Sequence, residues 1–151
     1  MYESIKDNYM YRNICNKFEN KFKFIPSVNP AIEEPMLSYT ISLTEGESCL
    51  NPDEDELIEF FRQSFNKLTG KSKIRYIIDW YHKIWYAPDY FKYGMWVYPD
   101  EDYAICLSED MNSGTFGHPW EQTICIFGKE LIKITRTNLP LNFSKVLREN
   151  I

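Results

Sequence analysis

MWVYPDEDYAICLSEDMNSGTFGHPWEQTICIF, from Met95 to Phe127, is the stretch that decides the fold class. Residues 95–98 and 103–107 are apolar and rich in strand formers, and the four residues between them, Pro99-Asp100-Glu101-Asp102, make a connection of hairpin length. The polar stretch 109–119 carries Gly114 and Gly117 and reads as a loop, and 122–127 reads as a further strand. Strand follows strand without a helix between them, so the sheet is expected to be antiparallel rather than doubly wound.

Upstream, residues 74–82 are apolar on both parities apart from Arg75 and Asp79, the pattern of a strand covered on both faces in the middle of a sheet. Before it lies a helix with Asn51 as N-cap, Pro52 at the first helical position, the acids Asp53-Glu54-Asp55-Glu56 in its first turn and Gly70 just past its end. Its buried face is Leu57, Phe60, Phe61, Phe65 and Leu68. Residues 37–44 alternate, with Leu37, Tyr39, Ile41 and Leu43 on one side and Ser38, Thr40, Ser42 and Thr44 on the other. That predicts a strand wet on one face, ended by Glu45-Gly46-Glu47. Nearer the start, Ile5, Tyr9, Ile14, Phe18 and Phe22 form the stripe of an amphipathic helix, with Ser4 and Asp7 spaced like a capping box. Pro26 and Pro30 keep the following chain extended. Downstream of Gly128, Leu131, Ile132 and Ile134 suit either a hairpin strand or a short helix, and a strand is the reading adopted. The expected class is α+β, a mainly antiparallel sheet flanked by two amphipathic helices in a single layer pair. With no repeat, low-complexity tract or linker, residues 1–151 are read as one domain.

The composition narrows the partners. A net charge of -5 repels phosphate backbones and anionic headgroups, so neither nucleic acid nor a membrane surface is expected as a partner. No stretch approaches the ~18 apolar residues of a membrane span. The opening residues, Met1-Tyr2-Glu3-Ser4-Ile5-Lys6-Asp7, do not read as a secretory signal. Cys15, Cys49, Cys106 and Cys125 have no metal-ligand spacing and are mostly set among apolar neighbours, which points to reduced thiols and a cytoplasmic setting. An aromatic content of 17% means a core built around rings.

Nucleotide-binding glycine loops, a nucleophile elbow and H-E-x-x-H are all absent. The candidates for chemistry are therefore the two histidines, His82 and His118, with Glu121. If residues 79–82 continue a strand, Asp79 and His82 point to opposite faces and form no dyad. His118 sits between Gly117 and Pro119 in a stretch whose Trp120 and Glu121 either plug the core edge and bond local amides or complete a site. His82, His118 and Glu121 would be the ligands of a zinc site, but no short ligand pair marks one, so no metal and no cofactor are expected. The rings from Trp80 to Tyr98, among them Trp85, Tyr90, Tyr93 and Trp96, fill the core or form a recognition face.

Two of these segments carry a resemblance. Asp79-Trp80-Tyr81-His82 and residues 114–128, GTFGHPWEQTICIFG, resemble a bacterial family catalogued as domain of unknown function 2716, whose members carry an Asp-Trp-x-His element and a similar GHPWEQT segment. Tyr81 departs from that pattern, in which a polar residue, often glutamine, is expected. The resemblance implies a bacterial cytoplasmic protein and no particular reaction. The functional expectation is a small acidic binding module that recognises a protein partner through Trp80, His82, His118 and Trp120. The alternative is a hydrolytic or transfer enzyme using His118 and Glu121 with His82.

Overall fold

A computed structural model describes residues 2–44, 53–80, 82–94 and 96–151. The strands are β1 (Glu3–Ser4), β2 (Ser38–Ser42), β3 (Ile74–Asp79), β4 (Lys83–Tyr86), β5 (Ala104–Ser108), β6 (Gly114–His118), β7 (Thr123–Phe127) and β8 (Val146–Asn150). They form one sheet in the order β1-β4-β3-β5-β6-β7-β2-β8, with each neighbouring pair antiparallel. The helices are α1 (Asn8–Phe22), α2 (Glu54–Asn66) and α3 (Lys129–Arg136). None of the described helices is long and apolar enough to cross a membrane.

Both faces of the sheet are covered. Ile14, Phe18 and Phe22 of α1 pack with Ile78, Ile105, Phe116 and Phe127 on one side. Leu57, Phe61 and Phe65 of α2 and Leu131 of α3 pack with Tyr39, Ile77, Ile124 and Ile126 on the other. The α+β class and the antiparallel sheet are as expected, but the helices lie on opposite faces, so the layers number three rather than a single pair. This double covering explains why β5, β6 and β7 are buried at every position.

Several boundaries differ for physical reasons. Asp7 alone caps α1, accepting the N–H groups of Tyr9 and Met10 at 2.8 and 3.2 Å, while Ser4 lies in β1 and Tyr9 is exposed. Asn51 and Pro52 lie outside the described residues; the N-cap of α2 is Asp53, and the helix ends before a 3-10 turn that begins at Gly70. Of its expected stripe, Phe60 is only partly buried. β2 is dry on both faces, because its hydroxyls find local acceptors: Ser38 donates to the Pro35 carbonyl at 2.7 Å and Thr40 to Glu34 at 2.8 Å. Leu37 precedes the strand with a left-handed backbone, φ 59°.

Residues 96–98 form no strand, although Val97 is buried, and Met95 lies outside the described residues. Within the expected loop 109–119, Gly114–His118 form β6. Its glycines serve close approach: a Cβ on Gly114 would stand 2.0 Å from the Cys106 carbonyl oxygen, and one on Gly117 3.0 Å from Pro99. After Gly128 the chain is helical, with Leu131 turned into the core and Glu130 accepting from the Thr69 N–H and hydroxyl at 3.1 and 3.0 Å.

Candidate functional site

The register aligns Asp79 of β3 with Ala104 of β5, and Ala104 with Gly117 of β6. Trp80, His82 and residues 99–103 and 119–122 therefore emerge at one end of the sheet. β3 stops at Asp79, and His82 donates its N–H to the Asp79 carbonyl at 2.9 Å, closing a turn into β4. Residues three apart in such a turn meet. His82 Nδ1 lies 3.3 Å from an Asp79 oxygen and 3.5 Å from one of Asp102, so the expectation that Asp79 and His82 diverge is overturned. The His82 side chain is 60% exposed, Asp102 33% and Asp79 14%. Trp80 turns the other way, buried against Phe18 and Phe24, and is core rather than binding surface. Tyr81 lies outside the described residues.

His118 is 1% exposed. Its Nδ1 accepts the Glu121 N–H at 3.2 Å, which assigns the proton to Nε2, and Nε2 donates to the Val28 carbonyl at 2.8 Å. Both ring nitrogens are occupied, which makes the ring a tie between the 24–32 segment and the β6–β7 turn. Glu121 is equally committed: Arg148 donates to its two oxygens at 2.9 and 2.7 Å, and Thr123 at 2.7 Å. Burial alone would raise this carboxyl, but the bonds from Arg148 and Thr123 outweigh it and hold Glu121 below the ordinary carboxylate range. Arg148 also bonds Glu34 at 2.8 and 3.0 Å. A base or metal ligand needs a free lone pair. His118 lacks one on either ring nitrogen, and Arg148 and Thr123 take three of the roughly four lone-pair sites of Glu121.

Trp120 is 60% exposed, its ring against Tyr103 at 5.7 Å and His118 at 6.2 Å. Tyr103 joins the two groups: its carbonyl accepts from the Trp80 N–H at 3.2 Å, its ring meets His118 at 5.0 Å, and its hydroxyl accepts the Ser27 N–H at 2.8 Å. Thus His118, Trp120 and Glu121 come together, His82 stands with Asp79 and Asp102, and Trp80 lies beneath. Tyr90, Tyr93 and Trp96 are exposed, while Phe91 is core.

Sequence reasoning missed Asp102, Tyr103, Glu34 and Arg148 as members of this region. Asp102 was legible only as a turn residue, and Arg148 lies in a stretch whose polar alternation carries no strong signal. Of the cysteines, Cys15, Cys106 and Cys125 are free, and Cys49 lies outside the described residues. Burial pushes the Cys106 and Cys125 thiols up to about 12, so neither supplies a nucleophile near neutral pH.

Residues 7–132 match the model of a family described as "Protein of unknown function (DUF2716)". The chain belongs to this family. The match runs from the cap of α1 into α3 and takes in the Asp79–His82–Asp102 group and the His118–Glu121 turn, but not β8. The chain is also 27% identical over 115 residues to the "Uncharacterized protein YxiI" of Bacillus subtilis (strain 168), covering 71% of each chain. No solved structure matches.

Proposed function

We propose that this family member is a binding module for a basic protein partner, docked at the end of the sheet where Trp120 projects. The observation that carries the reading is an exposed indole on a rigid base beside unneutralised acid. His118 and Tyr103 hold Trp120 in place, and Val28, bonded to the same imidazole, is exposed as well. Tryptophan is a residue type that dominates interface energetics when it enters a partner's pocket. Asp100, Glu101 and Asp102 directly precede Tyr103. The α2 N-terminus adds to the field, since the Glu54 carboxyl is raised first by burial and then by the charges of Asp100 and Asp55. Among the described residues, none of these acids forms an ion pair with a lysine or arginine. Uncompensated negative charge of this kind steers a basic surface and rejects an acidic one. The committed bonds of His118 and Glu121 give the enzyme alternative no support from those two residues. The Bacillus relative and the free thiols support a bacterial, cytoplasmic setting as part of this proposal.

The test is affinity capture at low salt from a bacterial lysate, identification of the captured protein, and direct titration with purified components. A basic partner whose affinity falls with salt and drops at least about tenfold in Trp120→Ala supports the reading. An acidic partner, or unchanged affinity in both Trp120→Ala and Asp100→Asn, overturns it.

A further inference from the structure

Outside the His118 turn, the same end of the sheet carries a group whose donors converge. Asp79, His82 and Asp102 each offer one ligand atom, and these atoms all lie within 4.8 Å of one another. We propose that they hold a single divalent transition-metal ion of the zinc class. The site takes up Asp102 and leaves Asp100 and Glu101 to the partner reading above, and its test uses metal ions alone.

Geometry is the first support. Zinc bonds imidazole nitrogen and carboxylate oxygen at about 2.0 to 2.2 Å, so the edges of a tetrahedral site are about 3.3 to 3.5 Å. The separations from His82 Nδ1 to the Asp79 and Asp102 oxygens are 3.3 and 3.5 Å. The third edge, between the two carboxylate oxygens, is bounded at 4.8 Å, so the ion is expected to draw the two carboxylates together.

Donor chemistry is the second. One imidazole nitrogen with two carboxylate oxygens suits zinc and its first-row neighbours, whereas calcium takes six or more oxygens and magnesium keeps most of its water. Two carboxylates balance the charge of the ion. No lysine or arginine among the described residues pairs with either of them to compete for the position.

The third is the scaffold. Asp79 ends β3, His82 lies in the turn that follows, and Asp102 enters β5, the strand hydrogen-bonded to β3. The Trp80 N–H bond to the Tyr103 carbonyl ties these two connections together at 3.2 Å. The partial exposure of His82 and Asp102 leaves one side of the ion open to water, the three-ligand arrangement of zinc sites that keep a coordination position free. The grouping of His82 with His118 and Glu121 lacks this property, because the nitrogens of His118 and the oxygens of Glu121 are already bonded.

The competing account is a protonated His82 between two carboxylates, which the same distances allow and which needs no ion. Titration of the chelator-treated full chain with Co²⁺ and Zn²⁺ alone separates the two. The metal site predicts one Co²⁺ per chain with the visible absorption of a tetrahedral complex, displaced by Zn²⁺, and a melting temperature that rises with metal concentration. His82→Ala and Asp102→Asn should each weaken binding at least about tenfold. Glu101→Gln, an adjacent acid outside the group, should leave it within about twofold. His82 is an exposed turn residue, so its variant should fold, and far-UV circular dichroism verifies that it does. No saturable binding below about 100 μM, or equal affinity in His82→Ala and wild type, overturns the site.

Discussion

Arg148→Met would separate the structural from the chemical role of the acids at this end of the sheet. The guanidinium spans two carboxylates, Glu34 at 2.8 and 3.0 Å and Glu121 at 2.9 and 2.7 Å. Both acids are only 13% exposed, so removing the cation strands two half-dry charges. Breaking a fully buried pair costs about 3 to 5 kcal/mol. Arg148 is one-third exposed, and solvent screening lowers the expected loss to about 2 to 3 kcal/mol. For a chain of this size that is a fall of about 4 to 12 °C in melting temperature. The assay is urea denaturation with calorimetry at neutral pH and again below the carboxylate range. Glu121 is held below its unfolded-state value, so its contribution is complete above that value and is lost as pH falls through the folded one. The gap between wild type and variant should therefore be widest at neutral pH and close in acid. A loss under about 0.5 kcal/mol at neutral pH, or a gap that does not change with pH, would refute the argument.

Two further outcomes follow from the same region and from the core. His118→Ala should cost about 2 to 4 kcal/mol in urea denaturation, since it opens a cavity and strands the Val28 carbonyl and the Glu121 N–H; unchanged stability would show that the ring is not a structural tie. Thiol titration should find four thiols in denaturant, whereas in the native protein Cys106 and Cys125 stay unreactive on the time scale that labels exposed cysteine, and fast labelling of both would contradict their burial.

The α2 stripe was readable because one dry face at helical spacing leaves a plain record, and β5 and β7 because apolar runs bounded by turn residues have few other uses. β6 was hidden by its glycines. They are there because Pro99 and the Cys106 carbonyl crowd the strand, and crowding by distant residues leaves no local pattern. β4 was obscured because Trp85 and Tyr86 read as part of an aromatic concentration rather than as half of a hairpin. At the site, the parity argument for Asp79 and His82 failed because it assumed that the strand continues. Once the chain turns after Asp79, a spacing of three brings together what a strand would part. The role of His118 was undecidable locally, since the carbonyl it bonds belongs to Val28, far away in the chain.

The position of β2 has a kinetic consequence. β4, β3, β5, β6 and β7 add to one another in nearly sequential order, the widest gap between paired strands among them running from Asp79 to Ala104. β2 does not; Ser38 pairs with Phe127 on one side and Asn150 on the other. On a growing chain it must wait, with neither partner yet made, until the rest of the sheet exists. Closing such long loops carries an entropic cost before any contact rewards it. The insertion of this strand is expected to be the slow, rate-setting event of folding, and substitutions at Tyr39 or Ile41 should slow refolding more than equally buried changes in the β5–β6 hairpin.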